Sequence, residues 1–336
     1  MSTIYDIAKA VGVSASTVSR ALSNNGYCDE ETRRRVMRAA KELNYAPDHS
    51  AKILRTKRTK RIIFAIPDIC NPFYFDMING ANSVFEKYGY LMILFYTKHS
   101  LKEELEAIQN LKERIADGMI MVSFNFCEKN IKAINSLDAP VVLTNKYESP
   151  RGTDKFDYVY VDTYLGIMLA TEHLLKQGHQ KIAYIGGNMN EQTGFERFIG
   201  YRDALLNAGL KDDKKYVYES NYTESGGYLC GKEILRMKDR PTAVVASNDL
   251  MAIGFMNACD EANVKIPDEI AVVGMDNTAL AARITPKLTS VAMMQEEIGR
   301  NAAQLLMDSL CNGSAQKEKI RLLPRLIVRD SSVRIG

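Results

Sequence analysis

At 336 residues, with 46% hydrophobic and 25% charged side chains, the chain has the composition of a globular protein with two or three packed units, which excludes a disordered or fibrous protein. No apolar run approaches the roughly 20 residues of a membrane span, Asp6 lies where a signal peptide would be apolar, and six scattered cysteines without a C-x-x-C pair exclude a disulfide framework or zinc knot. The net charge of +3 is unevenly shared: residues 1 to 61 hold 13 Lys and Arg against 6 Asp and Glu, and the other 275 residues hold 31 against 35.

Residues 3 to 24, TIYDIAKAVGVSASTVSRALSN, have the spacing of a helix-turn-helix. Ile4, Ile7, Ala8 and Val11 share one face of a first helix, and Gly12 ends it. Ser14 caps a second helix that turns Val18, Ala21 and Leu22 inward and Ala15, Ser16, Ser19, Arg20 and Ser23 outward. Small and hydrogen-bonding side chains let such a face enter the roughly 12 Å major groove, where Arg20 can reach a guanine. Taken alone, the pattern is equally that of an ordinary helical hairpin.

Asp29 and the acids after it open a third helix with Val36, Ala39, Ala40 and Leu43 inside and Arg33, Arg34, Arg35, Arg38 and Lys41 outside, and Pro47 is expected to end it. The arginine face is expected near phosphates. Residues 47 to 61 are basic and too short to fold alone, which suits either a plain linker or a short helix that forms against DNA, with Leu54 as an apolar wedge between Lys52 and Arg55.

These residues resemble the LacI/GalR family of bacterial transcription regulators, in T-I-Y-D-I-A-K-A-V-G-V-S-A-S-T-V-S-R-A-L, in E-T-R-R-R-V through E-L-N-Y-A-P, and in A-K-I-L. The resemblance implies that Ala15, Ser16 and Arg20 read bases and that Leu54 intercalates. Thr3, Tyr5, Ser14, Thr17, Ser19, Lys52 and Arg55 complete the expected DNA contacts. Ala15 and Ile53 depart from the residues many relatives carry.

From residue 62 onward nine apolar strand-like runs alternate with helical spacing, from IIFAIP at 62 to 67 through IAVVGM at 270 to 275, the pattern of parallel sheets covered on both faces. The expected fold is a small all-α helix-turn-helix head (1–46), a hinge (47–61) and an α/β core (62–336). The resemblance implies a periplasmic-binding-protein-like core of two doubly wound parallel-sheet subdomains, about 62–161 with 293–320 and about 162–292 with 321–336.

Ligands of such sheets sit beyond the carboxyl ends of the strands. The residues there, Phe73, Tyr74, Asp162, Arg197, Tyr222, Asn248 and Asp276, with Asp249 near the rim, also match the family's N-P-F, R-x-x-G-[YF], N-D-x-x-A and G-x-D patterns, with Met275 in place of the usual aromatic. Carboxylates, one guanidinium and aromatic faces suit a ligand rich in hydroxyls, and Glu191 disfavours a polyanion. The expected effector is a neutral sugar, with a purine or another small metabolite as the alternative.

Catalysis finds little support. The four histidines have no metal-ligand spacing and no G-x-S-x-G is present; GGYLCGK at 226 to 232 has phosphate-loop spacing but lacks the Ser or Thr and sits in a helix-like stretch. No cofactor or metal is expected. The reading is a cytoplasmic, homodimeric, effector-controlled regulator, most often a repressor in this family, on a pseudopalindromic operator. A solute-binding protein or an architectural DNA protein is the alternative from another class.

Overall fold

The computed structural model describes residues 2–23, 26–46, 58–123, 127–146, 156–313 and 317–333. The chain forms two compact units, Met1–Arg58 and Thr59–Gly336.

The first unit is a trihelical head. Helix α1 (Ile4–Val11) opens on a reciprocal cap in which Thr3 and Asp6 bond each other's backbone N–H, and it closes on Gly12 at φ 75°. Helix α2 (Ala15–Ser23) starts where the Ser14 hydroxyl accepts the Thr17 N–H, and α3 (Glu30–Glu42) where Asp29 accepts the Thr32 N–H. Ile7, Val11, Val18, Ala21, Val36, Ala39 and Ala40 form its core.

Two expectations need correction here. Helix α3 ends at Glu42, ahead of Pro47, because Asn44 turns left-handed at φ 47° and the Tyr45 N–H closes on the Ala40 carbonyl at 2.8 Å. Arg35, expected on the phosphate side, instead donates to the Val11 carbonyl at 2.6 Å and closes the end of α1. Pro47 and the hinge residues Lys52, Ile53, Leu54 and Arg55 lie outside the described residues.

The second unit holds two six-stranded sheets of the same strand order. The first contains β1 (Arg61–Ile66), β2 (Leu91–Tyr96), β3 (Gly118–Met121), β4 (Val141–Leu143), β5 (Asp157–Val161) and β11 (Lys319–Leu322), in the order β11-β5-β4-β3-β1-β2. The second contains β6 (Ile182–Gly186), β7 (Val217–Glu219), β8 (Ala243–Ala246), β9 (Ala271–Asp276), β10 (Thr289–Ala292) and β12 (Arg325–Ile327), in the order β12-β10-β9-β8-β6-β7. All neighbours are parallel except β10 and β12. The architecture is the expected helical head with a two-sheet α/β core.

Helices α4 (Phe73–Phe85), α5 (Leu101–Lys112), α6 (Glu128–Asn135) and α11 (Gln295–Asn312) belong with the first sheet. Helices α7 (Thr163–Lys176), α8 (Gln192–Asn207), α9 (Glu224–Leu235) and α10 (Asp249–Glu261) belong with the second. The nine apolar runs are β1 to β9. Strands β10, β11 and β12 have no such run: β10 is buried but opens on Thr289 and Ser290, and KIRL and RLI keep polar residues and half-exposed faces.

The chain crosses between the sheets three times: after Val161, after Ala292 and between Leu322 and Arg325. In both sheets the strand order reverses next to the first strand, between β1 and β3 and between β6 and β8. Loops diverge at such points and leave a crevice at the carboxyl ends.

Candidate functional site

On the head, Tyr5 is 73% exposed, and Ser16 and Arg20 are exposed on α2. Ala15, Thr17 and Ser19 are half-buried at its flanks. The Ser14 hydroxyl lies 2.7 Å from that of Ser16 and 2.9 Å from that of Thr17, and the Arg20 Nε donates to the Ser16 carbonyl at 3.3 Å. Thr3 spends its hydroxyl on Asp6 at 2.8 Å. Thr3 is therefore first a cap, and the outward reach comes from Tyr5, Ser16 and Arg20.

In the second unit, loops from both sheets enclose a cavity of about 490 Å³. Six of the seven expected ligand residues line it: Phe73, Tyr74, Arg197, Tyr222, Asn248 and Asp276. Asn71, the first residue of the N-P-F motif, accepts the Phe73 N–H on its side-chain oxygen at 3.0 Å and so starts α4 at the cavity wall. Tyr74 is buried and meets Phe73 edge-on, with ring centres 5.2 Å apart.

Asp162 is the correction. It does not line the cavity: one carboxylate oxygen accepts the Leu165 N–H at 2.9 Å and caps α7, and the other takes the Arg321 guanidinium. An aspartate directly after a strand is a natural helix cap, and this one does that work at the first crossing. Asp249, expected near the rim, lies behind the cavity wall, where its carboxylate holds Ser290 Oγ and the N–H and hydroxyl of Thr278.

The wall is built by mutual constraint. Arg197, 7% exposed, donates from Nη1 to the Ser247 carbonyl at 2.7 Å and lies over the Tyr222 ring. Asn248 caps α10 through the Met251 N–H and donates to the Tyr222 carbonyl at 2.9 Å. Tyr222 at φ 61° and Asp276 at φ 117° both hold backbone conformations unusual for a residue with a side chain, at a cost of order 1–3 kcal/mol each.

The electrostatics are those of a site prepared for polar atoms. Asp276 is held well above the usual carboxylate range, by burial first and by Asp249 second, with Arg197 pulling the other way. Burial pushes the Tyr222 phenol and the Glu191 carboxyl up as well. Among the described residues five buried side-chain N or O atoms lack a hydrogen-bond partner, and three of them, Thr144 Oγ1, Arg197 Nε and Tyr222 Oη, belong to residues lining this one cavity. Unpaired buried polar groups are costly in a native protein unless a ligand or water completes them.

Besides Asp68, which follows β1 at a strand end, several lining residues go beyond those expected from the sequence: His99, Thr144, Lys146, Asn188 and Glu196. Thr144 and Lys146 follow β4 and His99 follows β2, so the strand-end rule that found Arg197 and Asp276 would have reached them too. No group of His, Cys, Asp and Glu that could hold a metal ion occurs among the described residues. The phosphate-loop-like GGYLCGK lies in α9, where Gly227 lets the helix approach the Met251 backbone of α10; a Cβ there would come within 2.1 Å of the Met251 carbonyl oxygen.

Residues 3–48 match the family described as bacterial regulatory proteins, lacI family, and residues 171–332 match a periplasmic binding protein-like domain. Over 332 residues the chain is 30% identical to the HTH-type transcriptional repressor PurR of Vibrio atlanticus (strain LGP32), covering 98% of each chain. Among solved structures it resembles a transcriptional regulator CelR–cellobiose complex, with TM-score 0.74, 28% identity and coverage of 98% of this chain and 100% of that one. The lac repressor dimer bound to operator and the anti-inducer ONPF shares the fold, with TM-score 0.87, 24% identity and coverage of 99% of each chain.

Proposed function

Because this chain belongs to the LacI family of bacterial regulatory proteins, we propose that it is a cytoplasmic homodimeric repressor whose two heads read a pseudopalindromic operator and whose affinity for it is set by a neutral sugar in the cleft of the second unit. It is a DNA-binding transcriptional regulator controlled by a small molecule, and not an enzyme. The observation that carries the sugar is the set of three unpartnered atoms, Thr144 Oγ1, Arg197 Nε and Tyr222 Oη, from residues lining one cavity whose other polar groups include Asp276 and Asn248. Hydroxyls of a sugar both donate and accept, which completes a phenol, a guanidinium and a carboxyl together. The cellobiose bound by a regulator of the same fold is in keeping with this. A purine stacked on Phe73 or Tyr222 is the second reading, favoured by the aromatic portion of the wall.

On the head, Ala15, Ser16 and Arg20 are the proposed base readers, with Tyr5, Ser14, Thr17 and Ser19 as further proposed DNA contacts and Thr3 holding the entry to α1. Lys52, Leu54 and Arg55 are proposed as hinge contacts, with Leu54 kinking the centre of the operator. Swinging operator occupancy from nearly full to nearly empty needs about 5.5 kcal/mol of discrimination by the effector between two states.

The test selects binding sites for the full chain from random DNA and repeats the mobility shift with neutral sugars, sugar phosphates and nucleobases. A pseudopalindromic site whose occupancy changes with a neutral sugar supports the reading. A response to nucleobases alone moves the purine to the front, and no specific DNA binding overturns the regulator.

A further inference from the structure

The charge lining the cleft is lopsided. Asp68, Glu191 and Glu196 face it with carboxyl groups, against the permanent cations Lys146 and Arg197, while Asp276, raised well above the usual carboxylate range, adds an acid without a full charge. Glu196 already has Lys146 at 4.0 Å, Gln192 at 3.0 Å and Thr163 at 3.3 Å. Arg197 has one nitrogen on the Ser247 carbonyl and its plane over Tyr222.

Glu191 is differently placed. It stands at the N-cap of α8, yet its side chain makes no cap hydrogen bond. It turns to the cavity, where Asn188 Nδ2 donates to Oε1 at 3.2 Å, and His99 and Arg197 act on it through charge. A half-buried carboxylate that forgoes its own helix and faces a ligand cavity calls for a donor from the ligand. The second, independent sign of a ligand is the unpartnered Thr144 Oγ1 and Arg197 Nε, on residues each 7% exposed.

We propose that the effector carries an amino group beside its hydroxyls, as an amino sugar does, and that Glu191 is the residue that selects it. This rests on reading the cleft as a sugar site and departs from the neutral sugar at one substituent, which carries the charge. The hydroxyls satisfy Thr144, Arg197 and Tyr222, and the ammonium pairs with Glu191. The same carboxylates repel phosphorylated and carboxylated sugars, so one charge pattern serves both for attraction and for exclusion.

The experiment is calorimetric titration of the full chain with matched pairs, glucose and glucosamine, galactose and galactosamine, mannose and mannosamine, together with N-acetylglucosamine and glucose 6-phosphate, below the pKa of the amine. At least one amino form is expected to bind about tenfold or more tightly than its neutral partner, which corresponds to about 1.4 kcal/mol. The preference should shrink at high salt, vanish on N-acetylation, collapse in Glu191→Gln and persist, though weakened, in Glu191→Asp. Neutral sugars that bind as well as or better than their amino partners, or a preference that survives Glu191→Gln, would overturn the proposal and leave the sugar reading standing. Silence from every sugar, neutral and amino, would overturn both.

Discussion

The guanidinium carbon of Arg197 lies 5.6 Å from the centre of the Tyr222 ring. Arg197 reaches it from α8, and Asn248, at the head of α10, holds the Tyr222 carbonyl. Three segments that follow different strands of one sheet thus fix each other before any ligand arrives. Preorganisation of this kind lowers the ordering cost of binding.

Arg197→Lys keeps the charge and removes the planar fork. It loses the Ser247 carbonyl bond as that fork makes it and the stack on Tyr222. It also removes the Nε that has no partner in the protein and is proposed to meet the effector; a hydrogen bond from a charged group contributes about 1.5–3 kcal/mol, so effector affinity should fall by roughly 10- to 100-fold. Operator affinity without effector should not change, which a mobility shift in parallel with ligand titration would check.

Gly187→Ala tests the same wall from behind. A Cβ at position 187 would fall 1.9 Å from the Tyr222 ring, so the ring must leave its place. Overpacking costs about 1–3 kcal/mol, and effector binding should weaken together with the melting temperature. A variant that binds effector normally would mean that the ring position is unimportant to the site.

Much of this was legible in advance for a physical reason. Strands buried on both faces must be apolar throughout, so β1, β3, β8 and β9 announce themselves, and residues at or just beyond their ends, Asp276 and Asn248 among them, are confined to one end of a sheet. The signal fails where polar residues enter the strand: β10 reads TSVA, and β11 and β12 carry Lys319, Arg321 and Arg325. Strand-end position also cannot separate a ligand contact from a cap. Asp162 and Asn248 both cap helices, and only Asn248 also lines the cavity.

Asp162 offers a way to separate capping from ion pairing. Asp162→Asn retains a capping oxygen for the Leu165 N–H and gives up the ion pair with Arg321, a partner 52% exposed. Partly exposed pairs contribute about 0–1 kcal/mol, whereas loss of a cap costs about 0.5–2 kcal/mol. Urea unfolding should therefore rank Asp162→Ala clearly below Asp162→Asn, with the latter close to the parent; equal losses would assign the stability to the ion pair.

In the head, two arginines should behave oppositely. Arg35→Ala leaves the Val11 carbonyl without its donor and should destabilise the head by about 1 kcal/mol. Arg20→Ala touches only an exposed bond to Ser16 and should leave stability unchanged while costing about 1–3 kcal/mol of discrimination between operator and altered sites. Melting curves and competition mobility shifts distinguish the two.

Asp249 makes the body's stability depend on pH. Burial pushes its carboxyl up to about 6, against the opposing bonds from Ser290 and Thr278 and the charge of Arg329, and Asp276 is raised beside it. An unfolded aspartate titrates near 3.9, so between about pH 4 and 6 the native state holds a proton that the unfolded state has released. Stability from this group is therefore present at low pH, declines as pH rises through about 6, and is constant above; the decline is on the order of 3 kcal/mol. His173, whose pKa burial lowers, acts with the opposite sign near its own titration, so the total curve alone decides nothing. The difference between the parent and Asp249→Asn removes the contribution of His173, while Asp276, raised in part by Asp249, comes down with the substitution and adds to the same trend. Asparagine cannot ionise, and it keeps an acceptor for the Thr278 N–H, so its stability relative to the parent should improve from about pH 4 to about pH 7. Urea unfolding of both proteins across that range is the measurement. A constant difference would mean that Asp249 titrates in the folded protein as it does in the unfolded chain.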